Sequence, residues 1–202
     1  MTGVQTCALP ISTDRVELRR KGKDPELTYL ICHKPVGIST LRGPGDETDV
    51  RDLAGGAYRS LKLFPIGRLD KATSGLIILT DDGRITNRLL NPKNGHTRMY
   101  EVHVKLPLRS SFQEKMEQGI SEEGLEVRSC VIEVTGEKSF RITVHEGRSQ
   151  QIRHMVASLF NEVVTMKRIG IMHLALGSLA VGTCRPLTDR ERTVFLRELG
   201  LF

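Results

Sequence analysis

The chain has 202 residues, 39% apolar and 27% charged, which suits one compact domain with its own core, or a domain plus a small appendage, and excludes a disordered chain. Lysine and arginine outnumber aspartate and glutamate 30 to 24, giving a net charge of +6 that favours a polyanionic partner such as nucleic acid without requiring one. No apolar run approaches the roughly 20 residues of a spanning helix, so no membrane partner is expected.

Cys7, Cys32, Cys130 and Cys184 are scattered, with no Cys-x-x-Cys pair. Zinc-ligand spacing is absent, a disulfide framework is not expected in a chain of this length, and a reducing cytoplasm is the simplest compartment. No two of the six histidines stand at metal-ligand spacing on one helix. The glycine-rich phosphate loops of nucleotide-binding folds are missing as well. Neither a metal nor a cofactor is therefore expected.

In chain order, residues 1–12 carry no charge and no clear period, and Gly3 to Ile11 resembles a translated sequencing adaptor. They are expected to be a non-native leader, and 13–27 a charged connector. The folded domain is expected over 28–202. It opens on a buried strand, Thr28 to His33, stopped by Lys34-Pro35-Val36-Gly37. Thr48 is the expected N-cap of a short helix ended by Gly55-Gly56. A loop, Gly67 to Gly75, then runs into an apolar strand, Leu76 to Thr80, and Asp81-Asp82-Gly83 turns into a helix over Arg84 to Leu90.

Tyr100, Val102, Val104 and Leu106 alternate along the next strand, and a helix is expected over Ser110 to Gln118. Ser129 to Thr135 and Ser139 to His145 read as a hairpin. A helix follows over Gln150 to Phe160, with Ile152, Met155, Val156 and Leu159 on one face. Val163 to Leu174 reads as a strand interrupted by Gly170, and a last helix starts near Thr188. Hairpin connections in place of regular strand and helix alternation predict an α+β domain on a largely antiparallel sheet.

Three polar stations carry the chemistry. Arg68 and Asp70 lie on the loop before the apolar strand, where Asp70 is either a catalytic acid or a residue satisfying its own turn. Arg98 and Tyr100 lie on the alternating strand, where Tyr100 is either a core tyrosine or a wall of a site. Arg148 and Arg153 flank a helix start, as anion ligands or as a solvated terminus.

Taken together these segments resemble a known family. Gly67-Arg68-Leu69-Asp70-Lys71-Ala72-Thr73-Ser74-Gly75-Leu76 resembles the signature around the active aspartate of pseudouridine synthases. Lys34-Pro35-Val36-Gly37, Arg98 to Val102, and Glu146 to Met155 are similar to its other blocks, in the same order, and Met166 to Ile171 to its C-terminal segment. The RsuA-like branch, which acts on ribosomal RNA, is the nearest. Members of that branch commonly begin with a small RNA-binding module, which is expected to be missing here. At Arg98 the family more often has lysine, and at His154 arginine.

The resemblance implies a mixed sheet flanked by helices, with a central RNA-binding cleft, and isomerisation of uridine to pseudouridine by a monomer without a cofactor. It assigns Asp70 to the sugar, as a nucleophile at C1′ or as acceptor of the 2′ proton. Arg153 is expected to pair with Asp70 and keep it ionised. Tyr100 is expected against the uracil, ready to take the C5 proton. Arg68 is expected to enter the stack vacated by the flipped uridine. Lys34, Arg98, Arg148, Lys167 and Arg168 are expected as substrate-binding phosphate contacts. The rival readings are a non-catalytic RNA-binding or ribosome-assembly factor and a hydrolase using Asp70.

Overall fold

The computed structural model describes residues 27–43, 45, 48–119, 130–145 and 149–202. The expected leader at 1–12, nearly all of the 13–27 connector and Arg148 lie outside them.

The strands are β1 (Tyr29–Lys34), β2 (Phe64–Ile66), β3 (Thr73–Thr80), β4 (Arg98–Val104), β5 (Val131–Gly136), β6 (Ser139–Val144), β7 (Val163–Ile171), β8 (Leu174–Ala175) and β9 (Cys184–Pro186). The helices are α1 (Arg84–Leu90), α2 (Phe112–Glu117), α3 (Ser149–Ser158) and α4 (Asp189–Glu198). The strands form one sheet in the order β5-β6-β4-β7-β3-β1-β9, with β2 added to β3 and β8 to β7. Only β3 and β7 run parallel; the other pairs are antiparallel. This is the α+β, largely antiparallel mixed sheet the sequence predicts.

Alternation along each strand divides the core between two faces. Leu30, Cys32, Ile77, Leu79, Tyr100, Val102 and Met166 pack under α2 and α3 on one face. Tyr29, Ile31, Leu76, Ile78 and Ile171 pack under α1 and α4 on the other. Each fully buried isoleucine or leucine in these layers stabilises the fold by about 1.5–3 kcal/mol. In α3, Ile152, Met155 and Val156 are buried, as the helical period predicts. At α4, Thr188 accepts from Glu191 N and the Glu191 carboxylate accepts from Thr188 N, a reciprocal cap.

Several boundaries differ from expectation. Asp49 and not Thr48 caps the short helix, which is a 3₁₀ segment over Val50–Ala54, because its carboxylate accepts from Arg51 N while Asp52 caps in return. The strand Leu76 to Thr80 begins three residues earlier, since Thr73 to Gly75 pair with β7. The expected single strand Val163 to Leu174 folds back on itself, with the left-handed turn at Met172 (φ 53°) and not at Gly170. Cys32 and Cys184, expected unpaired, stand opposite each other on β1 and β9 and are joined as a disulfide. Their separation of 152 residues hides this pairing from any reading of local spacing.

Candidate active site

Asp70 lies at the tip of the wide hairpin between β2 and β3, half-buried between buried Leu69 and exposed Lys71. The tip is held by four backbone contacts from three directions. Thr40 Oγ1, itself buried, donates to the carbonyl oxygen of Leu69 at 2.7 Å and accepts from its N–H at 2.9 Å. Gly37 N donates to Lys71 O at 2.8 Å, and Thr73 N closes the turn onto Asp70 O at 3.0 Å. Leu69 is inserted in the core beside Tyr100, so the backbone at Asp70 rests on packed side chains.

Beside this turn, four strands contribute one rung. Lys34 on β1 pairs with Gly75 on β3, Gly75 with Arg168 on β7, and Arg168 with Tyr100 on β4. Residues in one rung share a face, here the face covered by α2 and α3. Gly75 has φ +112°, and a Cβ there would overlap the backbone of Arg168, so this position accepts only glycine. The rung therefore has no side chain between Lys34 and Arg168.

Lys34 is fully buried and donates from Nζ to Pro35 O at 2.9 Å and to Ile38 O at 2.7 Å. Burial pulls its ammonium down to a pKa of about 8; the Asp70 charge opposes this and the Arg168 charge adds to it. Arg168 is buried and donates from Nε to Leu76 O at 2.7 Å. Among the described residues, two buried side-chain atoms have no hydrogen-bond partner: Arg168 Nη2 and Thr73 Oγ1. Each such orphan costs about 1–3 kcal/mol while it stays unpaired.

The first turn of α3 approaches from the other side, where Gln150 Nε2 donates to Asp70 Oδ2 at 2.9 Å. The arrangement sets a carboxylate near the buried Lys34 ammonium, with Gly75, Arg168 and Tyr100 following Lys34 on one rung of the sheet. A carboxylate on a clamped turn beside a buried cation can act as a nucleophile or a base on a ligand brought to it.

A family model described as RNA pseudouridylate synthase matches residues 28–158. The chain belongs to that family. It is 34% identical over 166 residues to the dual-specificity RNA pseudouridine synthase RluF of Escherichia coli K12, covering 82% of this chain and 56% of that protein. The chain thus spans little more than half the length of that relative. It is 31% identical over 188 residues to the ribosomal large subunit pseudouridine synthase B of Bacillus subtilis, covering 89% of this chain and 76% of that protein. A crystal structure of a pseudouridylate synthase superposes with a TM-score of 0.75 at 29% identity, covering 86% of this chain and 74% of that one.

Within this pseudouridylate synthase fold, the residues singled out in the sequence fall into distinct groups. Lys34 lies within electrostatic reach of both Asp70 and Arg168, Arg168 is the rung partner of Tyr100, and Arg68 is exposed two residues before the acid. Tyr100 is buried in the core cluster that includes Leu69. Arg153 does not make the expected pair: its Nη1 donates to Val163 O at 3.4 Å, while Gln150 donates to Asp70. Gln150 precedes Arg153 by one helical turn and so meets the loop first.

Three further expectations are corrected by burial or by face. Arg98 is buried, with Nη1 donating to His96 O and His145 O and Nη2 to Leu89 O, so it ties α1 to β4 and β6 and has no face for phosphate. Lys167 alternates to the opposite face from Arg168 and is paired with Glu101 at 3.0 Å. Lys34 and Arg168 are enclosed, which does not suit a surface phosphate contact, and Lys34 feels the charge of Asp70 instead. Sequence reasoning missed Thr40, a buried threonine that no local pattern marks, and left Gln150 and Thr73 as unassigned members of motifs.

Proposed function

We propose that this chain isomerises uridine to pseudouridine in ribosomal RNA, with Asp70 as the working carboxylate. The observation that carries the reading is the seat of Asp70, a turn clamped by Thr40 above the buried charges of Lys34 and Arg168, in a chain of this family. The name of the Bacillus subtilis relative, which specifies the large ribosomal subunit, supports ribosomal RNA as the substrate class.

The reaction breaks the bond from C1′ to N1, turns the uracil while it stays bound, and joins C1′ to C5. The proton on C5 leaves and N1 ends protonated, so atoms balance with no redox step. Asp70 either attacks C1′ or takes the 2′ proton, and both routes need it ionised. The Lys34 ammonium supplies a positive charge beside that carboxylate, where the sequence expects Arg153. Tyr100 faces the base and receives the C5 proton directly or through water. Arg68 fills the stack left by the extruded uridine, offsetting the few kcal/mol that extrusion costs. Arg148 and Arg153 supply positive charge at the start of α3 for the RNA backbone. One copy of the chain carries every group named, which supports a monomer, and the substrate class supports the cytoplasm as its compartment.

The test uses unmodified ribosomal RNA transcripts, with pseudouridine mapped by carbodiimide labelling after incubation. The native chain forms pseudouridine, while Asp70→Asn forms none and still binds RNA. Retained activity in Asp70→Asn overturns the assignment, and RNA binding by the native chain without isomerisation overturns the function.

A further inference from the structure

The two orphaned buried atoms, Thr73 Oγ1 and Arg168 Nη2, are not scattered through the molecule. Thr73 pairs with Met166 and Gly75 with Arg168, so the orphans stand two rungs apart on adjacent strands. Alternation puts both side chains on the face where Met166 and Tyr100 are buried. Strand spacing and rise separate their backbones by about 8 Å, close enough for a threonine and an arginine to reach one small ring. Thr73 also begins where the Asp70 turn closes, its N–H donating to Asp70 O at 3.0 Å. At Gly75, between them, a Cβ would overlap the Arg168 backbone, so β3 and β7 lie in close contact there.

Buried polar atoms are nearly always paired, so two unpaired ones at a single place point to a missing partner that offers both a donor and an acceptor. We infer that Thr73 and Arg168 read the base edge of the extruded nucleotide, Arg168 donating to a carbonyl oxygen and the Thr73 hydroxyl accepting from the ring N–H. This rests on the proposed function for the identity of the ligand. Uracil presents a ring N–H flanked by two carbonyl oxygens. Cytosine replaces the N–H with a bare acceptor and one carbonyl with an amino group, so its amino group would meet the guanidinium donor to donor. The pair thereby selects uridine over cytidine, a choice that neither the carboxylate nor a stacked phenol can make.

Fluorescence anisotropy with labelled oligouridine and oligocytidine measures this preference directly, without knowledge of the target site. The native chain binds oligouridine more tightly. Thr73→Val and Arg168→Lys each reduce the preference about tenfold, the worth of one base-edge hydrogen bond, and Thr73→Ser retains it. Thr73→Val melts no lower than the native chain, because it removes a hydroxyl that has no partner, so its loss of preference is not a folding defect. A native chain without preference, or an unchanged preference in Thr73→Val, overturns the inference and leaves a trapped water as the partner. If the native chain forms pseudouridine while Thr73→Val keeps its preference, only this inference falls. If no pseudouridine forms but the preference depends on Thr73, the proposed reaction falls and the uridine site stands.

Discussion

Strand β3 carries an aspartate near each end, and the two are seated differently. Asp82, two residues beyond the strand, is buried, and it accepts from Tyr29 Oη at 2.6 Å, Arg84 N at 3.0 Å, Arg84 Nε at 2.8 Å and Arg84 Nη2 at 2.9 Å. All but one of those donors come from its own turn. Asp70, three residues before the strand, is half-buried, faces the charge of Lys34, and is reached by a side chain 80 residues away in sequence. An acid surrounded by local donors is a rivet for the fold. An acid held through its backbone, with its carboxylate met by distant elements, sits where separate parts of the chain converge.

Breaking the rivet gives the larger stability effect. The Arg84 hydrogen bonds, then that of Tyr29, hold the Asp82 carboxyl below the usual carboxylate range against the opposing effect of burial. A depressed carboxyl stabilises the fold above the unfolded pKa of about 4, and that stability is lost as pH falls through the lower folded value. Asp82→Asn is expected to cost about 3 kcal/mol, lowering Tm by about 6–12 °C, and to flatten the acid side of the stability profile. Pseudouridine formation at temperatures well below the transition stays unchanged. Urea melts across pH, beside a single-temperature activity assay, check both halves.

Thr40 sharpens the contrast at the other end. Its hydroxyl serves both polar groups of the buried Leu69 backbone, so Thr40→Val leaves an N–H and a carbonyl unpaired and costs about 2 kcal/mol. Here stability and catalysis fall together: kcat drops about tenfold as the carboxylate loses its fixed direction, KM for RNA changes little, and Thr40→Ser restores kcat. A variant that loses stability but keeps kcat would reduce Thr40 to a rivet like Asp82.

The contrast also explains what could be read from the sequence. The alternation in β4 is visible because every second residue from Arg98 to Val104 is buried. That same pattern includes Arg98, and alternation says which face a residue shares without saying that an arginine there is covered. Lys34 reads as a cation ending a strand, and Arg168 as one of two basic neighbours. Their meeting across Gly75 depends on β1, β3 and β7 being adjacent, a fact of topology and not of local composition. Asp82 was legible as a turn acid because most of its partners are within two residues. The surroundings of Asp70 were legible only as a set of motifs, since the geometry joining them is long-range.

A pH dependence separates the two roles of Lys34. In the folded chain the ammonium titrates at about 8, against an ordinary value of 10.5. Below pH 8 both folded and unfolded chains hold the proton. Between the two values the unfolded chain binds more protons, so stability rises with pH across that window. Activity runs the other way, because loss of the ammonium above about pH 8 takes away the positive charge beside the Asp70 carboxylate, and with it part of the fixed field in which that carboxylate meets the ribose. Lys34→Met is expected to abolish both slopes, leaving stability flat over that range and activity low at every pH. In Asp70→Asn the stabilising window opens at a lower pH, since the acid that supports the ammonium is gone. Chemical denaturation at closely spaced pH values, paired with initial rates, checks both slopes. If activity and stability rise together above pH 8, the charge on Lys34 is a burden of burial alone and has no part in holding Asp70.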